Sequence, residues 1–220
     1  MIDMHSHILP NMDDGSDSVE TTHKMLQMLR EQGVTKVAAT PHFYAHKDNP
    51  TDFLRRREES LAQDQWELEI LPGAEVAYFD GMSRCQELKE FAIGDTGLLL
   101  VEMPFVNWTG RMVEELIRIP MELGLTPVLA HVERYRSSRQ LPDFLKELLG
   151  QQIAMQCNAE AFLFSGSRRW ALSMVKKGCI DFLGSDAHNL TDRAPKYGEA
   201  VQVIEKKLGK DICEKITAPI

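Results

Sequence analysis

Cysteine is scarce in this 220-residue chain: Cys85, Cys157, Cys179 and Cys213 are widely spaced and no two form a CxxC pair. That spacing argues against a disulfide framework or a redox site and predicts buried, reduced thiols. Long apolar runs are absent too. No stretch approaches the roughly 20 apolar residues needed to cross a bilayer. The start, Met1-Ile2-Asp3-Met4-His5, lacks the basic and then hydrophobic pattern of a signal peptide. No membrane insertion and a cytoplasmic location are therefore expected. Basic charge is in deficit, with 25 Lys and Arg against 33 Asp and Glu, for a net charge of −8. Nucleic-acid binders show a basic face or stripe, so no nucleic acid partner is expected. The single dense basic run, Arg55-Arg56-Arg57, is followed at once by Glu58 and Glu59 and reads as a solvated helix face. With no extended polar, proline-rich or repetitive tract, residues 1–220 are expected to form one globular domain with a full core. The oligomeric state is not legible.

What is present is an alternation. Apolar, β-rich runs occur at residues 1–6, 35–40, 68–76, 98–103, 126–130, 153–157 and 180–184, with helix-like segments between them. Strands alternating with helices are the pattern of a parallel sheet with crossover helices. Seven such runs predict an incomplete or distorted α/β barrel, or an open α/β sheet. The first helix is predicted to start at a capping box of Asp17 and Glu20 and to end at Gly33. Further helices are predicted near 52–64, 81–91, 110–123, 138–149, 167–177 and 195–208, with Pro120 kinking or shortening the fourth. His23 is expected to be an exposed residue of the first helix.

The chemistry lies at the strand ends. His5, His7, His42, Glu75, Glu102, His131, Asp186 and His188 all fall at or just after the carboxyl ends of predicted strands, where barrel active sites are built. In His5-Ser6-His7 and Asp186-Ala187-His188 the members of each pair are two apart, so on extended backbone they project to one face. A lone HxH is weak evidence; six strand ends that agree are strong. Imidazole and carboxylate without thiolate suits Mn²⁺, Fe²⁺, Zn²⁺ or Mg²⁺. Asp13-Asp14-Gly15-Ser16-Asp17 lacks the ligand spacing of an EF-hand, and one of its aspartates is expected to join the metal site.

The segments DMHSHILPNMDDG, ATPHF, PGAEV, VEMP, AHVERY and GSDAHN resemble the PHP (polymerase and histidinol phosphatase) superfamily. Within it they are most similar to the manganese-dependent protein-tyrosine phosphatases of bacterial capsule and exopolysaccharide loci. The resemblance runs from His5 to Arg193. It implies an α/β fold of the PHP type, a distorted TIM-like (β/α)7 barrel, with two or three divalent ions, Mn²⁺ foremost. His5, His7, Glu75 and Asp186 would hold one ion, Glu75, Glu102 and His131 a second, and Asp14, His42 and His188 a third. Arg134 and Arg193 match positions that bind substrate phosphate and act in catalysis. The implied partner is a phosphotyrosine protein, a bacterial tyrosine kinase with a tyrosine-rich tail. Phe43, in place of a frequent second histidine, and Val132, in place of a proline, depart from the pattern, and the C-terminal tail is short; Phe43 and Val132 are not among the assigned ligands.

The mechanism implied is direct hydrolysis, with metal-bound hydroxide attacking phosphorus. Thiol-based tyrosine phosphatases place an arginine six residues after the nucleophilic cysteine. Here those positions hold Phe91, Leu163, Ser185 and Pro219, so a cysteine nucleophile is not expected. The alternatives are a small-molecule phosphatase of the histidinol-phosphate type and a catalytically silent regulator that binds metal or phosphopeptide.

Overall fold

The computed structural model describes residues 1–137, 148 and 151–218. Its strands are β1 (Ile2–Ser6), β2 (Lys36–Ala39), β3 (His42–Phe43), β4 (Glu69–Pro72), β5 (Glu75–Ala77), β6 (Leu98–Glu102), β7 (Thr126–Leu129), β8 (Ala154–Asn158) and β9 (Phe182–Gly184). Every pairing among these strands is parallel, in the orders β1-β2-β4 and β3-β5-β6-β7-β8-β9. The two sheets meet where the end of β1 bonds the segment after β9: Asp186 donates its N–H to the His5 carbonyl at 2.8 Å and His7 donates to the Ala187 carbonyl at 2.9 Å. The result is a curled parallel sheet with all its carboxyl ends on one side.

One of the seven predicted runs departs from expectation, and one strand falls outside them all. The run at 68–76 is two strands, β4 and β5, divided at Gly73-Ala74, where a Cβ on Gly73 would lie 3.0 Å from the Ile93 side chain. The run at 35–40 is followed by a further short strand, β3, that the sequence reading missed. Pro41 separates it from β2 because proline has no N–H for the ladder. The break changes direction without losing the sheet, since Gly73 N–H still reaches the Ala39 carbonyl and Glu75 N–H the Pro41 carbonyl, at 2.9 and 3.0 Å.

The helices are α1 (Val19–Glu31), α2 (Pro50–Leu61), α3 (Gly110–Leu123), α4 (Ser165–Lys176), α5 (Tyr197–Leu208) and α6 (Lys210–Thr217). α1 begins one residue later than its expected capping box requires. Ser18 is the N-cap and accepts from Thr21 N–H, while Asp17 accepts from the hydroxyls of Ser18 and Thr21. Residues 81–91 form two 3₁₀ segments instead of an α-helix. Pro120 does not shorten α3, which continues to Leu123 and stops at left-handed Gly124; Ile119 and Leu123, both buried, hold that last turn to the core. α6 is an additional helix in a tail expected to be short. The helix predicted at 138–149 lies, apart from Leu148, outside the described residues. No described helix is long and apolar enough to cross a membrane.

Amphipathic periodicity decides what each helix buries. Met25, Leu26 and Leu29 of α1 and Val113, Leu116 and Ile119 of α3 are wholly buried against Val37, Leu99, Val101 and Leu129 of the strands. A smaller cluster takes Ile2 and Met4 from β1, Ala38 from β2, Leu100 from β6, Val128 from β7 and Phe182 from β9, and alternation along the strands sets it on the opposite face from the helices. His23 is not simply exposed: its two ring nitrogens lie 2.7 Å from Glu67 and 3.0 Å from Asp64. Those carboxylates, Asp64 first, raise its pKa above the ordinary histidine range.

Candidate metal centre

The parallel register sets the candidate ligands side by side. β3 pairs with β5 so that His42 stands opposite Glu75, and β5 pairs with β6 so that Ala77 stands opposite Glu102. His131 follows β7 by two residues, and Asp186 and His188 follow β9 by two and four. His131 and Asp186 adopt left-handed backbone, with φ of 33° and 52°. Such conformations cost non-glycine residues about 1–3 kcal/mol each, and both residues so held reach the cluster, His131 at Glu75 and Asp186 at His5 and His7.

All nine expected residues come together. Ligand atoms of His5, His7 and Glu75 lie within 4.8 Å of one another, as do those of His42, Glu75 and Glu102, and those of His7, Asp14, His42 and His188. Glu75, 1% exposed, is the hub: one carboxylate oxygen lies 3.3 Å from His5 Nε2, 3.3 Å from His7 Nε2 and 3.0 Å from His42 Nδ1. Its other oxygen is 2.9 Å from His131 Nε2, which stands 3.3 Å from Glu102. Asp186 Oδ1 is 3.6 Å from His5 and 3.5 Å from His7. Asp14, unlike the rest of its group, is exposed; it approaches His42 Nε2 to 3.6 Å and His188 Nε2 to 3.5 Å. The grouping differs from the expected partition in that His42 also adjoins the Glu75–Glu102 pair and His7 adjoins the Asp14 group.

The donor chemistry fits divalent cations. Three histidines have Nδ1 engaged by oxygen: His5 by Gln156 at 3.1 Å, His7 by Asp13 at 2.6 Å and His188 by the Asp186 carbonyl at 2.9 Å. Donation from Nδ1 leaves each Nε2 with its lone pair, and those of His5 and His7 meet at 3.1 Å. Buried atoms lacking any hydrogen-bond partner include Glu75 Oε2, His42 Nδ1, His131 Nδ1 and His188 Nε2. Buried polar groups in folded proteins are as a rule satisfied; Asp3 Oδ2, Arg57 Nε and Ser83 Oγ are the others among the described residues, and the concentration of four such atoms here matches a cation-binding cluster. Without cations, protons fill that role. Burial disfavours charge on His7, but Asp13 and then Glu75 outweigh it and push its pKa up to about 10. Burial likewise opposes charge on His131, yet Glu102 and Glu75 raise it to about 9. His188 is lowered to about 3, by burial and then by charged His7, whose ring centroid is 3.8 Å away. Burial resists ionisation of Glu75, and the surrounding imidazoles overcome it and hold Glu75 well below the carboxylate range.

Both arginines reach the cluster. Arg134 bonds Asp186 Oδ2, and Arg193 bonds Asp186 Oδ1 at 3.0 Å and Asp14 at 3.5 Å. A guanidinium carries five N–H donors, so each arginine retains donors beyond those that hold the aspartates.

Three supporting residues escaped the sequence reading. Asp13 binds the His7 ring and also accepts the N–H groups of Gly15 and His42, at 2.9 and 2.8 Å. Gln156 Oε1 accepts from His5 and from the His131 N–H, the latter at 2.7 Å, while its Nε2 donates to Asn158, which donates onward to Asp186 at 2.8 Å. Gln156 and Asn158 stand two apart at the end of β8, the same signal that singled out His5 and His7. Loss of such an outer partner typically weakens metal affinity about 10–100-fold. Gln156→Ala is expected to do so in calorimetric Mn²⁺ titrations; unchanged affinity would remove it from this role.

Fold and site together define a class, a parallel α/β protein with a histidine–carboxylate cluster suited to divalent cations. Residues 1–219 match the capsular polysaccharide synthesis CpsB/CapC family model, and the chain belongs to that family. It is 31% identical over 229 residues to tyrosine-protein phosphatase YwqE of Bacillus subtilis, covering 99% of this chain and 89% of that one. It is 28% identical to tyrosine-protein phosphatase CpsB of Streptococcus agalactiae serotype III, covering 96% and 92%. A solved structure from work on YwqE and Streptococcus pneumoniae CpsB, described as unique metal-dependent tyrosine phosphatases, superposes with a TM-score of 0.82 at 29% identity, covering 97% and 90%. Dihydropyrimidinase from Brevibacillus agri shares the fold alone, at 13% identity and a TM-score of 0.63 over 98% of this chain and 68% of that one.

Proposed function

We propose that this chain is a metal-dependent protein-tyrosine phosphatase, a single PHP-type domain over residues 1–220 with its strands in a distorted (β/α)7 barrel. The observation that carries the reading is the convergence of five imidazoles and four carboxylates, several with orphaned buried lone pairs, beside two arginines. His5, His7, Glu75 and Asp186 would hold one ion, Glu75, Glu102 and His131 another, and Asp14, His42 and His188 a third, with Mn²⁺ the first candidate and Fe²⁺, Zn²⁺ or Mg²⁺ the others. When bound, the ions supply Lewis acidity toward the phosphoryl oxygens and lower the pKa of attacking water.

The chain's own residues do the rest. Three divalent ions against four carboxylates leave a surplus of about two positive charges for a phosphate dianion. Arg134 and Arg193, held by Asp186 and Asp14, direct their remaining N–H groups at the phosphate, where planar forks bind bidentately. Phenol has a pKa of about 10, so a tyrosyl group departs without a strong general acid. The family's capsule-synthesis description and the names of YwqE and CpsB support a phosphotyrosine protein of that pathway as substrate; a bacterial tyrosine kinase with a tyrosine-rich tail is the candidate that the resemblance of the sequence motifs implies.

No cysteine serves as nucleophile in this reading. Burial raises the Cys157 thiol well above its ordinary range and pushes Cys213 up to about 11, so neither is a thiolate at neutral pH. Single Cys→Ser variants are expected to retain at least about half of wild-type turnover; a folded variant that loses it would show a thiol route. The primary test is phosphate release from a phosphotyrosine peptide by metal-stripped protein with each ion restored in turn. Restored turnover supports the phosphatase, whereas phosphopeptide binding without release with every ion would mark a silent regulator.

A further inference from the structure

Phe105 and Val106 lie just beyond β6, between Glu102 and α3, and both are exposed, at 59% and 63%. Their neighbours Met103 and Trp108 are buried. Exposure of two adjacent apolar residues at the rim of a polar site asks for a partner. Phe105 is nonetheless anchored. Its ring stacks on His131, with centroids 5.7 Å apart and planes 25° apart, and on Tyr135 at 5.5 Å and 29°. Tyr135 is itself buried and tied down by its hydroxyl, which accepts the Met103 N–H at 2.9 Å. His131 is 1% exposed and Phe105 59%, so Phe105 packs on that imidazole while leaving an open face toward solvent.

The place of this open face is informative. The His131 ring contacts Glu75 and Glu102, and Arg134, three residues on, reaches Asp186. An ester whose phosphate sits between these groups directs its leaving group outward past the rim. A phenyl face there offers no hydrogen bond to an alkyl hydroxyl or a sugar, but pairs well with a second ring in offset or edge-on geometry. We infer that Phe105 is a specificity-determining residue, whose open face receives the aromatic ring of the leaving group and selects aryl over alkyl phosphate esters. This rests on the phosphatase reading above and deepens it from phosphate to leaving group.

The test compares phenyl phosphate with glycerol 1-phosphate as substrates of the Mn²⁺-loaded protein. In parallel, calorimetry follows binding of phenylphosphonate and ethylphosphonate, which are not hydrolysed. Phe105→Ala is expected to lower kcat/KM for phenyl phosphate about tenfold and to weaken phenylphosphonate by a similar factor, the scale of one ring–ring contact with its buried area. Glycerol 1-phosphate turnover and ethylphosphonate affinity stay within about twofold, because a contact the ligand does not make costs nothing when removed. Phe105→Trp keeps the aryl preference, and Phe105→Leu, of similar bulk but no ring, loses most of it. Equal losses on aryl and alkyl ligands would overturn the inference by reducing Phe105 to support for His131. So would an aryl preference that survives Phe105→Ala but disappears in Phe164→Ala, since Phe164 is equally exposed and lines a pocket with Arg134. Failure of the phosphatase reading is distinguishable: wild-type protein then turns over neither ester, while the phosphonate titrations still report whether Phe105 engages a ring.

Discussion

Replacement of His7 by alanine is expected to abolish metal-restored turnover, with kcat falling on the order of a thousandfold or more, equivalent to about 4 kcal/mol of transition-state stabilisation. The residue is wholly buried, shares the Glu75 hub with His5, and lies within reach of Asp14, His42 and His188. Its Nδ1 is committed to Asp13, which aims Nε2 at the cluster in a fixed orientation. Removing the ring deletes a donor and also leaves the buried Asp13 carboxylate without its main partner, a charge that is costly to leave unpaired. Metal-dependent thermal stabilisation separates loss of the site from loss of the fold. A ligand at 100 times its dissociation constant stabilises by about 2.7 kcal/mol. Wild-type protein should show such a shift on Mn²⁺ addition and His7→Ala should not, while its metal-free melting remains cooperative. A variant that keeps both the shift and the turnover would remove His7 from the metal site.

Gly15→Ala is expected to have nearly as large an effect through sterics alone. A Cβ at this position would lie 2.2 Å from the His7 carbonyl oxygen and 2.5 Å from the His7 Cβ, neither of which is the flexible end of a side chain. The loop cannot relieve the clash locally, because Ser16 N–H is bonded to that same carbonyl at 2.9 Å and Asn11 N–H to the Ser16 carbonyl at 2.9 Å. It must move as a unit, and Asp13 and Asp14 move with it. Overpacking of this kind costs about 1–3 kcal/mol of stability. At the site, the His7 orientation and the Asp14 carboxylate are lost together, so turnover should fall at least about a hundredfold. Gly110→Ala is the matched control: nothing lies within 4 Å of its Cβ, and it begins α3 at a position where alanine is favourable. Equal melting temperatures and activities for the two variants would refute the close-approach argument.

The architecture was legible because it is written in local periodicity. Six of the seven apolar runs coincide with a single parallel strand to within one or two residues at most ends, and the ligand types cluster at their carboxyl ends for reasons of spacing that need no tertiary information. The errors fall where a local signal was ambiguous. Asp17 and Ser18 both suit an N-cap, and only the start of α1 at Val19 chooses Ser18. The run at 68–76 is continuously apolar enough for one strand, and only the approach of Ile93 to Gly73 shows why the chain breaks there.

By itself the sequence determined that this is a parallel α/β chain with imidazoles and carboxylates at successive strand ends, since side-chain alternation and the succession of strand and helix are properties of neighbouring residues. Tertiary structure alone decided how the work is divided among them. Asp13 and Asp14 are adjacent and chemically identical, yet one is buried beneath His7 and the other faces His42, His188 and Arg193. Gln156 acquires meaning only because the fold brings it to His5, 151 residues away, and to the His131 N–H. Left-handed backbone at His131 and Asp186 is likewise unfavourable locally and is maintained by the contacts around it. Residues far apart in the chain have no common signature until packing makes them neighbours, and packing brought these nine candidate ligands, two arginines and three supporting side chains to one place.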